Sequence, residues 1–124
     1  MSKYFPVVEY TCKCGCGFSA LNPNLLYRLD LIREALGRPL VLDSGCRCEK
    51  RNRDQGGEEN SDHLRGNAVD ARAINSHTRF VIIDEALRLG IKRIGIAEKF
   101  LHLSVDLINP QGVIFLYPSP QVKV

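Results

Sequence analysis

Apolar residues recur at helical spacing near the start of the chain, over residues 22–37. The repeating positions, which share one face of an α-helix, are Leu25, Leu26, Leu29, Ile32 and Leu36. Asn22 suits the N-cap, Pro23 suits the first turn, and Gly37 suits the position just past the last turn. The pattern therefore predicts an amphipathic helix with one face against a core.

A second helical pattern covers residues 76–90, where Ser76 is the expected cap and Gly90 the expected stop. Apolar and alternating runs predict strands at residues 39–45, 67–73, 92–97, 100–108 and 113–118. Very few residues separate the third run from the fourth, which predicts a hairpin, and "NPQG" predicts a turn before the fifth. We expect an α+β domain with two main helices packed on a mostly antiparallel sheet.

Length and composition are those of a single domain that spans residues 1–124. Hydrophobic residues make up 44% and charged residues 25%, so a core can form without disulfide crosslinks. No apolar run has the length of a membrane span or of a secretion signal. We therefore expect no contact with a membrane. We also expect a monomer. It should be cytoplasmic when synthesised, and a phage holin is one route for its release to the cell wall.

The net charge of +3 is spread along the chain, with a modest cluster at Arg47, Lys50, Arg51 and Arg53. No aromatic residues are interleaved with this cluster, as they would be in a surface that stacks on bases. The composition therefore does not predict a nucleic-acid partner. A mild positive charge suits an anionic cell wall or an acidic peptide.

The segment "SDHLRGNAVDA", residues 61–71, places a histidine and an aspartate seven positions apart. In a fully extended strand that separation is ~23 Å, so the chain must turn between them, and Gly66 permits a turn. Strand alternation then places Asp70 on the opposite face from its apolar neighbours. His63 and Asp70 are candidates for two ligands of a metal ion, and the alternative is a solvated loop that happens to contain a histidine.

A catalytic zinc site has three protein ligands and one open position, so a third ligand is needed. His77 opens a predicted helix and is expected at the surface or in a cap. His102 lies in the strand-like "FLHLSVD", where a lone histidine is more often a core residue bonded to a backbone carbonyl. The presence of the His63 and Asp70 pair favours His102 as a ligand.

Three segments, "SGCRC", "SDHLRGNAVDA" and "FLHLSVD", resemble the zinc D-alanyl-D-alanine metallopeptidases. That family has the hedgehog/DD-peptidase fold and includes carboxypeptidases, dipeptidases and phage endolysins that cut peptidoglycan stem peptides. Its Ser-x-His-x-x-Gly-x-Ala-x-Asp pattern is matched at Ser61, His63, Gly66, Ala68 and Asp70. The resemblance covers most of the chain, and five fixed positions at set spacing rarely recur by chance.

The resemblance implies that His63, Asp70 and His102 hold a catalytic Zn²⁺ ion. Two neutral imidazoles and one carboxylate leave a zinc site with a net charge of about +1. Such a metal remains acidic enough to polarise a carbonyl and to lower the pKa of its bound water to about 7. The ligand set therefore suits hydrolysis of a peptide bond.

The resemblance also implies that Arg47 binds a backbone carbonyl or a carboxylate of the substrate. The planar guanidinium suits either group, although an ion pair with Asp43 or Glu49 is the alternative that the residues alone favour. Ser61 is expected to bind the substrate or to brace the loop through a local hydrogen bond.

A zinc peptidase needs a general base, which relatives supply as an acid or histidine shortly before the last zinc histidine. Here Glu98, in the predicted turn before the His102 strand, is the expected base. Relatives place the acid three residues before that histidine, where this chain has Lys99. Asp106, four residues beyond His102, would be ~13 Å away along an extended strand.

Five cysteines form two C-x-C clusters, at Cys12, Cys14, Cys16, Cys46 and Cys48. In a reducing cytosol we expect them to be thiols or ligands of a structural zinc ion. Disulfides between the two clusters are a further alternative. Their closeness in sequence to Arg47 indicates that they brace the active-site strand end.

The sequence therefore predicts a zinc peptidase acting on the D-Ala-containing stem peptides of peptidoglycan, as a carboxypeptidase or endopeptidase. A phage or prophage lysis protein fits this chemistry. The alternatives are a zinc-containing binding module of the same fold without catalysis, a phage structural protein, and a cysteine-rich structural domain without a catalytic metal.

Overall fold

In the computed structural model, which describes residues 2–118, the helices follow the local sequence signals closely. They are α1 (Pro23–Leu36), α2 (Glu49–Asp54) and α3 (Ser76–Arg88), with 3₁₀ turns at Val7–Glu9 and Asp62–Arg65. Asn22 caps α1 as predicted, because its side-chain oxygen accepts a hydrogen bond from the backbone N–H of Asn24.

Two details of the helices differ from expectation. Asn75, rather than Ser76, caps α3, since its side-chain oxygen accepts a hydrogen bond from the backbone N–H of Thr78 at 2.8 Å. Helix α2 forms in a polar segment for which the sequence patterns above predict neither a helix nor a strand. Only Asn52 is buried in α2, so the segment has no apolar periodicity from which a helix could be predicted.

Within residues 2–118, no helix is both long and apolar enough to cross a membrane.

One five-stranded sheet contains the strands, in the spatial order β1-β2-β4-β3-β5. The strands are β1 (Leu42–Ser44), β2 (Ala68–Arg72), β3 (Arg93–Ile96), β4 (Phe100–Ser104) and β5 (Val113–Leu116). The predicted hairpin is present as β3 and β4. The sheet is mostly antiparallel, as predicted, but it is not purely so, because β5 pairs with β3 in parallel. Because β2 and β3 occupy both edges of β4, β5 joins the sheet at an outer edge, on the side of β3 that faces away from β4.

The core lies between α1, α3 and one face of the sheet. Its fully buried side chains include Leu25, Leu29, Ile32, Val69, Ala71, Ile82, Ile94, Leu101 and Leu103. On β2 and β4 the core residues alternate with residues of the opposite face, which are polar except for Ala68 and Phe100. The polar residues of these two central strands therefore lie on the opposite face of the sheet, away from the core.

Candidate metal centre

Strand register brings the first two candidate ligands together on the polar face of the sheet. Asp70 of β2 is paired directly with His102 of β4, across an antiparallel ladder. Their neighbours on the same ladder, such as Val69 and Leu103, pair on the core face. The predicted alternation around Asp70 is therefore present, and His102 is a polar-face residue and not a core histidine.

His63 reaches the same place from the 3₁₀ turn that precedes β2. Ser61 caps this turn, because its hydroxyl accepts a hydrogen bond from the backbone N–H of His63 at 3.2 Å. Gly66 ends the turn with a φ of 69°, and a Cβ atom there would lie 2.1 Å from the carbonyl oxygen of Ala20. Both the left-handed backbone and the close approach require glycine, so Gly66 fixes how the chain turns from His63 into β2.

The three candidate ligands converge on one oxygen atom. Asp70 Oδ1 lies 3.2 Å from His63 Nε2 and 3.1 Å from His102 Nδ1, and all three ligand atoms lie within 4.8 Å of one another. The residues are buried, with exposures of 2% for His63 and 4% for each of the other two. This is a candidate metal site built from two imidazoles and one carboxylate.

In each histidine, the ring nitrogen that faces away from Asp70 makes a hydrogen bond, and this outer nitrogen leaves the other, inner nitrogen free to bind a metal. His63 Nδ1 lies 2.7 Å from the carbonyl oxygen of Gly45, which can only accept, so Nδ1 carries the proton. His102 Nε2 lies 3.0 Å from a carboxylate oxygen of Asp62 and donates to it in the same way. In the neutral rings, the remaining lone pairs both point at Asp70 Oδ1. Three acceptors that face each other in a buried site suit a cation.

Asp62 was not among the predicted site residues, although it precedes His63 directly. Its carboxylate is buried, and it accepts hydrogen bonds from His102, from Arg93 Nε at 2.8 Å and from the amide of Asn109. Burial opposes ionisation, but these hydrogen bonds hold the pKa of Asp62 well below its usual range. Asp62 is therefore an anion that fixes the orientation of the His102 ring.

Arg47 contacts the candidate metal site from the side of β1. Its Nη2 donates to Asp70 Oδ2 at 3.0 Å, and its Nε donates to Ser44 Oγ at 2.9 Å. The expected alternative partner, Asp43, instead pairs with Arg72. Since Arg47 occupies Oδ2, the other carboxylate oxygen of Asp70 stays directed at the two histidines.

A cleft of about 980 Å³ opens above these residues. Ser61, Arg47 and all three candidate ligands line it, as predicted site residues should if they act together. Phe100, Phe115 and Tyr117 also line the cleft, with the Phe115 ring centroid 5.7 Å from that of His102. Burial raises the pKa of the Tyr117 hydroxyl, which therefore stays neutral. The cleft thus combines one aromatic wall with a polar floor.

Neither Glu98, the predicted general base, nor Asp106, the other acidic residue near His102 in the sequence, lies in the cleft. Glu98 is exposed in the turn between β3 and β4 and does not line the cleft, while its backbone carbonyl accepts a hydrogen bond from Arg79. Asp106 is fully buried and forms an ion pair with Arg65 Nε at 2.8 Å. The glutamates that do line the cleft are Glu58 and Glu59.

Four of the five cysteines form a second cluster, which shares no residue with the histidine site and does not line the cleft. They are Cys12, Cys14, Cys16 and Cys48. Cys46 is buried in the core and does not belong to this group. None of these five cysteines forms a disulfide bond.

The family model for Peptidase M15 matches residues 3–104 of the chain. Since that range is most of the sequence and contains every candidate ligand, the chain belongs to the peptidase M15 family, whose members are zinc-dependent peptidases. The resemblance found in the sequence is thereby confirmed at the level of the family. No curated protein matches the chain.

Proposed function

We propose that this protein is a zinc peptidase that hydrolyses D-Ala-containing peptide bonds in the stem peptides of peptidoglycan. The observation that carries the proposal is the convergence of His63 Nε2, Asp70 Oδ1 and His102 Nδ1 at the floor of a cleft. Membership of the peptidase M15 family supports the same reaction class. The bond that is cut can be the terminal one, as in a carboxypeptidase, or an internal one.

The donor set fits zinc, which binds imidazole nitrogen and carboxylate oxygen. His63, Asp70 and His102 would hold the ion, and the open cleft leaves a fourth position accessible. Zinc bound there would polarise the scissile carbonyl and lower the pKa of a bound water. Gly45 and Asp62 hold the two rings by their outer nitrogens, which keeps the inner lone pairs aimed at the site.

Arg47 is proposed to orient the substrate. Its guanidinium lines the cleft next to Asp70, and 13% of its side chain is accessible. A guanidinium can donate to a substrate carbonyl or carboxylate while it keeps a hydrogen bond to Asp70, because it has several N–H groups in one plane. Stem peptides contain carboxylates, so this cation gives the cleft a preference for them.

A carboxylate that takes the proton of the attacking water completes the proposal, and Glu98 remains the candidate from the sequence. Glu58 and Glu59 are the alternatives, because both line the cleft. Matched variants separate the three candidates: Glu98→Gln, Glu58→Gln and Glu59→Gln each remove one charge and retain the shape of the side chain. The variant that lacks the base should lose most of kcat and keep its zinc, and wild-type kcat in a variant excludes that residue as the base.

The proposed activity is tested by incubating the zinc-loaded protein with purified peptidoglycan and identifying the released peptides by mass spectrometry. We expect loss of a terminal D-alanine, or cleavage next to an internal one, and no products with His63→Ala. His77→Ala is the control, because His77 is exposed at the start of α3 and should leave the activity unchanged. Intact peptidoglycan after digestion with wild type would overturn the proposal.

The position of Glu98 outside the cleft supports a second candidate function, a binding module that keeps its zinc without catalysis. Such a module would bind stem peptides with wild-type zinc content and release no products. Calorimetric titration with a stem peptide, run beside the digestion, distinguishes the two functions. We also propose that this activity serves lysis of a host cell, with a phage holin as the route by which the protein passes from the cytoplasm to the inner side of the wall.

A further inference from the structure

The cysteine cluster is built from two separate parts of the chain. Cys12, Cys14 and Cys16 come from one loop near the N-terminus, and Cys48 comes from the residue before α2. The Sγ atoms of all four lie within 4.8 Å of one another, and Cys14 Sγ is 3.5 Å from both Cys12 Sγ and Cys48 Sγ. Four sulfur atoms from two distant segments of the chain therefore lie close enough together to bind one ion.

Hydrophobic burial does not explain this gathering, because Cys14 and Cys16 are exposed. The loop is instead shaped by its backbone. Gly15 and Gly17 have φ values of 87° and 89°, and the N–H of Cys12 donates to the carbonyl of Phe18 at 2.8 Å. Residues other than glycine rarely adopt such φ values. The two glycines therefore let the loop turn tightly enough to bring its three sulfur atoms close together.

The sulfur spacing is that of metal ligands and not of disulfides. A tetrahedral zinc site with Zn–S bonds of about 2.3 Å has sulfur–sulfur edges of roughly 3.8 Å. A disulfide needs about 2.05 Å, and the observed 3.5 Å contacts are far longer. A disulfide would also join only two of the four sulfurs, whereas each of the four here is near the others.

Backbone N–H groups already point at two of the sulfurs. The N–H of Cys48 donates to Cys12 Sγ at 3.4 Å, and the N–H of Arg51 donates to Cys48 Sγ at 3.4 Å. Hydrogen bonds to sulfur stabilise the thiolate form, which is the form that binds metal. Lys13 lies between Cys12 and Cys14 in the chain, and a positive charge in this loop favours a site that carries the negative charge of four thiolates.

We propose that Cys12, Cys14, Cys16 and Cys48 bind a structural zinc ion, at a second site separate from the histidine site. Soft thiolates select zinc over hard cations such as magnesium or calcium. Four protein ligands leave no open position, so this ion is structural and does not take part in hydrolysis. Cys46 is excluded because its side chain belongs to the core.

The location of this site gives it a consequence for the cleft. Cys48 follows Arg47 directly, and Gly45 in the same segment accepts the hydrogen bond from His63 Nδ1. A zinc ion on Cys48 ties this segment to the N-terminal loop, alongside the backbone bond from Cys46 to Tyr10 at 2.9 Å. The second ion therefore anchors the wall of the cleft that carries Arg47.

Elemental analysis of protein purified without chelator tests this site. We expect the double variant Cys14→Ser, Cys16→Ser to lose about half of the zinc of wild type, and Cys46→Ala to lose none. His63→Ala should lose the other half, so failure of this proposal and failure of the peptidase proposal give different results. Wild-type zinc content in the double variant would overturn the second site.

Cobalt provides a measurement that does not depend on how the double variant folds. His63→Ala loaded with Co²⁺ should show intense sulfur-to-cobalt charge-transfer absorption, since its remaining site is all thiolate. In wild-type protein loaded with zinc, a mercurial reagent that blocks thiols should release about half of the metal. Absence of charge transfer, or release of no zinc by the reagent, would show that the cysteines do not hold a metal.

Discussion

At the scale of single residues, Asp62 connects two parts of the site that lie far apart in sequence. It precedes His63 directly, yet its carboxylate binds the ring of His102, 40 positions away. Hydrogen bonds from Arg93 and Asn109 keep the carboxylate in place, so the His102 ring is held from behind. A buried anion on the outer nitrogen also makes the inner nitrogen a stronger donor toward a metal.

Asp62→Asn should therefore weaken zinc binding without removing a ligand. The amide can accept one hydrogen bond from His102 but has no charge, and changes of this kind cost about 10- to 100-fold in metal affinity. Competition with a chromophoric chelator measures the change. Asp84→Asn is the matched control, since Asp84 pairs with Arg88 on an exposed face of α3. Equal zinc affinities in the two variants would contradict the role of Asp62.

Arg47→Lys tests the proposed contact with substrate. Lysine keeps the charge but lacks the planar fork, and one charge-assisted hydrogen bond contributes about 1.5–3 kcal/mol. The expected result is a fall in kcat/KM of about 10- to 100-fold with zinc content unchanged. Arg53→Lys, at an exposed position in α2, is the control. Wild-type kcat/KM in Arg47→Lys would show that Arg47 does not contact the substrate.

At the scale of elements, the turn from the 3₁₀ segment into β2 fixes the relation between His63 and Asp70. Gly66→Ala should destabilise the fold strongly, because the new Cβ would overlap the carbonyl of Ala20. Gly56→Ala is a matched control, since it has the same φ of 69° but open space around the Cβ. In the control, the free energy of unfolding should fall only by the cost of a left-handed backbone at alanine, about 1–2 kcal/mol. Urea unfolding measures the stability of both variants. Equal decreases in the free energy of unfolding would show that the close approach to Ala20 does not destabilise Gly66→Ala.

The elements also show which features could be predicted from sequence. Helix α1, the β3–β4 hairpin and the two faces of β2 depend on neighbours along the chain, so caps, spacing and alternation were enough. The parallel partner of β5 depends on which strand edge is free, and α2 has no apolar face. Asp62 was missed for the same reason, because its contact with His102 exists only after β2 and β4 have paired.

At the scale of the whole molecule, a buried ion pair makes the fold sensitive to acid. Asp106 follows β4, and hydrogen bonds from Arg65 in the 3₁₀ turn, helped by Asn67, lower its pKa to about 2. Because the folded-state pKa is below the unfolded value of about 4, the pair stabilises the fold above pH ~4. That stabilisation is lost as the pH falls toward 2.

Asp106→Asn should consequently be less stable than wild type near pH 7, by a free energy of unfolding on the order of 2 kcal/mol. The difference between the two proteins should shrink below pH ~4 and approach zero near pH ~2. Comparing them at each pH by urea unfolding cancels the loss of zinc in acid, which affects both. A difference that does not change with pH would show that ionisation of Asp106 is not what stabilises the fold.

The most direct test of the central claim is the zinc content of wild type, His63→Ala and His77→Ala, measured in parallel with hydrolysis of peptidoglycan. If His63, Asp70 and His102 form the catalytic zinc site, His63→Ala loses about half of the zinc of wild type and all of the hydrolysis. His77→Ala then keeps both, and the zinc that remains in His63→Ala belongs to the cysteines. Full zinc content in His63→Ala, or hydrolysis that survives without that zinc, would contradict the account.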